Sequence, residues 1–507
     1  MFTYKKYLRQ TVRTIALGAV LLSGCSPETE STESDHLTFV YNFSTLSLDP
    51  HRDSSYVPLR AGVTETLVRL DDEKLTVEPW LAKSWKNETE TVWRLELQQG
   101  ITFQNGKTVD ADAVKSSLER SIAENMGVKN ALKIKSIKVD GNDLLFETNT
   151  VYPEFISELV NPNTAIIDTT AKKIEARPIG TGPFTVSAFS PGTKVELTRF
   201  EGYWGRPAKL ETVNFLFNED AGARTMSLQS GQADIVYRPE AESVDRLKKN
   251  GFAIDVTETF RVHQLTMNVT DGPMQSLPVR KAIDALIDRK QLVDHVLQGY
   301  ATVATGPFIS SFPFAPDYEQ RTDQTAISYL KQAGYILQDG QMQKDGQPLT
   351  LTLLTYSARP DLPLIAQVLQ DDAKKIGITI KIRQIDVPEE YMSSHRDWDL
   401  ATYSNLTAPR GDAGYYLNAT YHPQGGLNFS GVNDGALTKQ LDQLNRTVNP
   451  AKRNALAEQI ARDVDQKQFN SFLLHPATLV AYDQSRVEGW KTEKSEYYMI
   501  TNMLEVK

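Results

Sequence analysis

Apolar and polar positions along the chain fall into two alternating rhythms. "HLTFVYNF" (36–43) is an extended apolar run that predicts a first strand, closed by the turn-forming "LDPHRD" (48–53). "YVPLRAGVTETLVRL" (56–70) carries apolar residues at helical spacing and predicts a helix. "TVWRLELQQGITFQNGKTVDADAVKSSLERSIAE" (91–124) predicts a strand, a turn at Asn105-Gly106, and a helix. Asp110 and Asp112 stand at the start of that helix, where negative charge suits its dipole. Gly180 and Gly182 beside Pro183 predict a rigid turn leading into a strand. "VRKAIDALIDRKQLVDHVL" (279–297) repeats apolar residues at three and four spacing and predicts a helix pair, broken at Asp288 and stopped by Gly299. Strands and helices keep alternating to the end, with no short-period repeat. The pattern predicts an α/β fold, which suits an exported binding protein, an α/β hydrolase or a sugar enzyme equally well.

The first 25 residues follow neither rhythm. Lys5, Lys6, Arg9 and Arg13 make a positive start, "TIALGAVLLSG" is a short apolar run, and Leu22-Ser23-Gly24-Cys25 ends it. This stretch resembles a bacterial lipobox, which implies that Cys25 is lipidated and begins the mature chain; an ordinary signal peptide is the plainer alternative. "SPETESTESD" (26–35) is acidic and Ser/Thr-rich and predicts a flexible spacer. The expected state is a monomer tethered by lipid to the extracytoplasmic face of the cell membrane.

Composition narrows the chemistry. The 507 residues are 40% hydrophobic and 23% charged, with a net charge of -9. Such length predicts two or more domains, and the acidic balance argues against a nucleic-acid partner. Cys25 is the sole cysteine, so no disulfide or thiolate metal site is available elsewhere. Any metal must be held by His, carboxylate, carbonyl or water, or arrive with its own ligands. No G-x-S-x-G, H-E-x-x-H or P-loop motif is present, so catalysis is not expected and an exported hydrolase is the weakest reading.

Several stretches in order carry a family resemblance. They are "EPWLAKSWKNETETVWRLELQQGITFQNGKTVDADAVKSSLER" (78–120), "IGTGPFTVSAFSPGTKVELTRFEGYWG" (179–205), "MSLQSGQADIV" (226–236), "LPVRKAIDALIDRKQLVDHVLQGYATVATGPF" (277–308), "LKQAGY" (330–335) and "LQDDAKKIGITIKIRQID" (369–386). Together they resemble the extracytoplasmic solute-binding proteins of ABC importers, family 5, which serve peptide and nickel uptake. The resemblance implies a two-lobe, periplasmic-binding-protein-like α/β fold of type II with an extra subdomain. It implies a first lobe at 36–264 plus 483–507, with the subdomain at about 66–178, and a second lobe at 265–482. It further implies a permease partner in the membrane and lobe closure over a small ligand. That ligand is either a nickel chelate, Ni(II) with a carrier such as free histidine, or a di- or oligopeptide. No intrinsic cofactor is expected.

The candidate site residues follow from the same resemblance. Some nickel-binding relatives hold a chelated Ni(II) with one histidine after the first strand and one near the last return to the hinge, which points to His51 and His475. His51 is equally explained as turn chemistry, and His475 as a satisfied half-buried histidine. In other relatives a second-lobe loop supplies one histidine, here His422 in "GYYLNATYHPQGGLNFSG". His263 lies on a strand that crosses near the hinge in the family. A chelate's carboxylates call for arginine, and Arg359, between a predicted strand and a helix, is the leading candidate, with Arg410 second. Tyr56, Trp398, Tyr415 and Tyr416 are candidate aromatic walls.

Overall fold

The computed structural model describes residues 35–316 and 325–507. Cys25, its apolar leader and spacer residues 26–34 lie outside the described residues. Among the described residues no helix is long and apolar enough to cross a membrane.

One long strand, Asn470–Tyr482, organises the central sheet. At about 3.3 Å per residue its 13 residues span roughly 43 Å, enough to serve two neighbourhoods. Its first part pairs antiparallel with Arg261–Met267, which is followed outward by Leu400–Leu406, Thr350–Thr355 and Thr379–Gln384. Its far end pairs with Ile235–Tyr237, which leads to His36–Tyr41, Thr212–Phe217, Lys194–Arg199 and Phe184–Ser190. Each neighbourhood has its own apolar core. Leu37, Phe39, Phe184 and Phe215 anchor one, and Leu265, Leu353, Leu369 and Leu474 the other. A separate four-stranded sheet, ordered Ala82–Thr89, Val92–Leu97, Asp143–Thr148 and Ile134–Asp140, packs in a third cluster shared with Tyr416, Leu441 and Ile460.

Local sequence accounts for most boundaries. Asp110 caps the helix Ala111–Glu124 by accepting the Ala113 N–H at 2.8 Å. Asp288 likewise accepts the Gln291 N–H at 2.9 Å where the helix pair breaks, and Gly299 ends it at φ +81°. Gly180 and Gly182 are required for close approach: a Cβ on either would sit 2.3 Å from a backbone oxygen of the 62–63 segment. The helix predicted over 56–70 is corrected to one turn, Val57–Arg60, followed by a strand at Val68–Asp71. The Val63 and Thr64 amides turn back onto the Pro58 carbonyl, and Gly62 at φ +69° packs against Ile500, so the apolar spacing serves two elements.

Candidate functional site

Three chain segments leave the central sheet at the C-terminal ends of their strands and converge. His36–Tyr41 and Ile235–Tyr237 run parallel and end at Asn42-Phe43 and Arg238. Thr350–Thr355 ends in a loop carrying Arg359, and the helix Asp361–Lys375 starts two residues later. This is where an open α/β sheet exposes strand ends and a helix N-terminus, the usual place for a ligand.

Glu496 is the hub of the convergence. Its Oε1 accepts from Thr478 (2.8 Å), Arg238 (2.9 Å) and Tyr237 (3.0 Å), and its Oε2 accepts from Arg261 at 2.8 Å. Burial alone would raise its pKa, but the charges of Arg261, Arg238 and Arg359 overcome that and hold it well below the usual carboxylate range. Arg60 joins from the side, giving its Nε–H to the Glu496 carbonyl at 2.9 Å and lying over Tyr41 and Tyr56.

Arg359 stands beside this hub with no carboxylate in ion-pair contact, although Glu496 and Asp361 act on it from farther off. It is 7% exposed, lies 5.9 Å from the Phe43 ring centroid, and its Nη1 has no hydrogen-bond partner. Burial, then the neighbouring charges of Arg238 and Arg261, push its pKa down to about 9. Arg238 and Arg261 each leave a buried Nε–H unpartnered as well. Opposite them, Asp361 meets His263 Nε2 at 2.5 Å. Burial lowers the His263 pKa against the pull of Asp361, so the imidazole is neutral and donates from Nε2.

Of the candidates named from sequence, Arg359, His263, Arg410, Tyr56 and Tyr415 share this region. Arg410 is buried in an ion pair with Glu158 and lies 4.3 Å from the Tyr415 ring centroid. Tyr56 packs edge-on against Tyr497, next to Glu496. The others lie elsewhere. Trp398 is core, its indole N–H donating to the His395 carbonyl at 3.0 Å, and Tyr416 is buried between Gln264 and Tyr421. His422, half-buried at the end of the helix Ala413–Tyr421, accepts the Gln424 N–H at 3.2 Å.

His51 and His475 are not brought together. His51 Nε2 donates to the Ala165 carbonyl at 2.9 Å and its Nδ1 accepts from Arg120 at 2.8 Å, so both ring nitrogens are used. Burial lowers its pKa to about 4. His475 Nδ1 donates to the Arg261 carbonyl at 3.0 Å, and its buried Nε2 has no partner. Alternation along the strand places His475 on the face opposite Thr478, which reaches Glu496; across the ladder His475 is registered with Thr302. Among the described residues no three of His, Cys, Asp and Glu gather at metal-binding distance.

Sequence reasoning missed Arg238, Arg261, Asp361 and Glu496. Arg261 and Asp361 each stand two residues from a named candidate, on the same strand face as His263 and in the first helical turn after Arg359; that spacing was the available signal.

Comparison with known proteins places these features in context. The family described as bacterial extracellular solute-binding proteins, family 5 Middle, matches residues 76–428. The nickel-binding protein NikA of Staphylococcus aureus is 34% identical over 491 residues, 96% of this chain and 97% of that protein. A crystal structure of a nickel ABC transporter protein from Bacillus halodurans is 56% identical, with a TM-score of 0.77 over 93% of this chain and 100% of its own. The S. aureus NikA structure in complex with Ni(L-His)2 is 32% identical, with a TM-score of 0.83 over the same shares.

Proposed function

The chain belongs to the bacterial extracellular solute-binding proteins of family 5, and from that premise we propose that it captures nickel as a small carboxylate-bearing chelate, such as Ni(II)–histidine, for an ABC permease. The observation that carries the reading is Arg359: a buried guanidinium in no ion pair and with an unpartnered Nη1, flanked by two more arginines with unused N–H groups. A carboxylate placed there would take bidentate, charge-assisted hydrogen bonds in a low-dielectric pocket. The similarity to nickel-binding relatives supports nickel as the cargo.

In this reading the chelator fills most of the metal's coordination shell, and the protein grips the chelator. Arg359 takes a carboxylate, with Arg238 and Arg261 beside it. Tyr56 and Tyr415 form aromatic walls, and Arg410, held by Glu158, backs Tyr415. Among the described histidines, His263 is the imidazole on the arginine face. We assign it, ahead of His51, His475 and His422, the contact nearest the metal. The lobes meet near residues 264–265 and 482–483 and close over the ligand. The protein acts as a monomer, held at the membrane by lipid on Cys25, and performs no catalysis.

Calorimetry with Ni(II), free histidine and the two combined tests this. Binding that needs both components, and that is lost in Arg359→Met, supports the proposal. Tight binding of unrelated peptides with no response to metal would sink it.

A further inference from the structure

The inference rests on reading the arginine-lined region as a nickel-chelate site and concerns a residue that need not touch the ligand. Glu496 is 5% exposed and receives four donors, three on Oε1 and one on Oε2, so its charge is spent mainly on the protein. Two of those donors are guanidiniums on different strands, Arg238 after Ile235–Tyr237 and Arg261 on Arg261–Met267. Without Glu496, two cations would lie unpaired beside a third.

Backbone conformation marks the same residues. Glu496 (φ 60°), Arg238 (φ 53°) and Tyr56 (φ 57°) all occupy the left-handed region that side-chain-bearing residues avoid. Local geometry accounts for part of this: Tyr56 is the N-cap residue of the helix Val57–Arg60, and Glu496 closes a turn in which its N–H reaches the Glu493 carbonyl at 3.1 Å. Here three meet around one carboxylate, joined by the Arg238–Glu496 ion pair and by Arg60, which bonds the Glu496 carbonyl and lies over Tyr56. Strain held at one place by surrounding structure is a feature of sites that must be aimed.

We propose that Glu496 is a positioning residue that sets the ligand charge the cleft accepts: it cancels one cation of the Arg238–Arg261–Arg359 group and leaves room for a limited anionic charge on the cargo. Asp361, already engaged by His263, cancels a second, while Arg60, bound to the carbonyls of Glu496 and Ser55, adds a further cation at the edge of the group. The selectivity follows from counting. Remove the Glu496 charge while keeping its shape, and the cleft gains a cation that only a more anionic cargo can meet.

The test compares wild type, E496Q and E496D against two defined probes, the neutral bis-histidine complex of Ni(II) and the monoanionic citrate complex of Ni(II). In E496Q the affinity ratio should shift toward the citrate complex by about tenfold, the scale of one lost charge contact in a partly buried site. E496D keeps the charge but shortens its reach; it should weaken both complexes while leaving their ratio within about twofold. Equal weakening of both complexes by E496Q would mean a merely structural role and overturn the proposal. Should E496Q not fold, E496D decides: a ratio shift as large as tenfold with the charge retained overturns it equally. Failure of the wild-type protein to bind either complex would instead bring down the nickel-chelate reading itself.

Discussion

Two buried charge clusters in this molecule are near mirror images in composition. In one, Arg238, Arg261 and Arg359 face Glu496 and Asp361, the latter bound to His263. In the other, Glu154, Glu158 and Asp412 face Arg410 and Arg453. Glu154 is the N-cap residue of the short helix Phe155–Glu158, packed on the four-stranded sheet, and Glu158 is its last residue, whereas Arg453 lies in the helix Pro450–Lys467. The second cluster therefore ties together segments about three hundred residues apart. With Arg60 at its edge, the first cluster has cations to spare, and the other has an acid.

The two excesses are resolved differently. A surplus carboxylate can take a proton: burial, opposed by Arg453 and reinforced by Asp412, raises the Glu154 pKa to about 7. Lys133, over the Tyr152 ring at 4.3 Å, adds a half-exposed positive charge that favours the ionised forms of Glu154 and Glu158. A surplus guanidinium has no such exit near neutral pH, since even at about 9 Arg359 stays charged. The acid-rich cluster can settle itself by taking up a proton; the cation-rich one keeps its charge.

The largest expected effect comes from taking a partner out of the acid-rich cluster. Arg453→Met should cost about 3–5 kcal/mol in urea unfolding, because Glu154 then lies buried, and Asp412 half-buried, without their cation. Arg359→Met should do the reverse. Stability should change by no more than about 1 kcal/mol, since no ion pair is broken, while chelate affinity falls by roughly a hundredfold. If Arg359→Met unfolds the protein as Arg453→Met does, the contrast collapses.

Acidity separates the clusters further. The raised Glu154 pKa means the native state holds a proton that the unfolded chain lacks between pH 4.5 and about 7, so this group adds stability as pH falls through that window. His51 works oppositely. Its pKa, lowered to about 4 from 6.5, means the unfolded chain takes the proton first, so stability is lost as pH falls from 6.5 toward 4. Glu154→Gln should therefore steepen the loss of stability on acidification, read as melting temperature against pH; an unchanged slope would count against proton uptake by Glu154. The smallest effect expected is for His422→Ala, which touches neither cluster: stability within about 0.5 kcal/mol and unchanged chelate binding.

How far the sequence alone reached can be seen residue by residue. Arg359 was legible because a strand, a loop and a helix start surround it within a dozen residues. The capped helix after Asp110 and the break at Asp288 were legible for the same reason, since each is decided by its neighbours. Glu496 and Arg238 were not, because their importance arises from strands paired across more than two hundred residues and from left-handed backbone that no local pattern announces. His51 shows the opposite hazard. A histidine in a suggestive turn was readable, but its engagement by Arg120 and Ala165 depends on tertiary packing. The helix expected over 56–70 failed at Gly62, where a distant carbonyl from Ile500 decides the conformation.

The long strand Asn470–Tyr482 also dictates the order of events during synthesis. A nascent chain that has emerged only to residue 469 possesses Arg238, Arg261 and Arg359 but neither the strand that joins the two sheet neighbourhoods nor the carboxylate of Glu496. Pairings of such sequence separation form late, after their loop-closure entropy has been met. Assembly of the arginine group around its carboxylate therefore waits on residues 470–496.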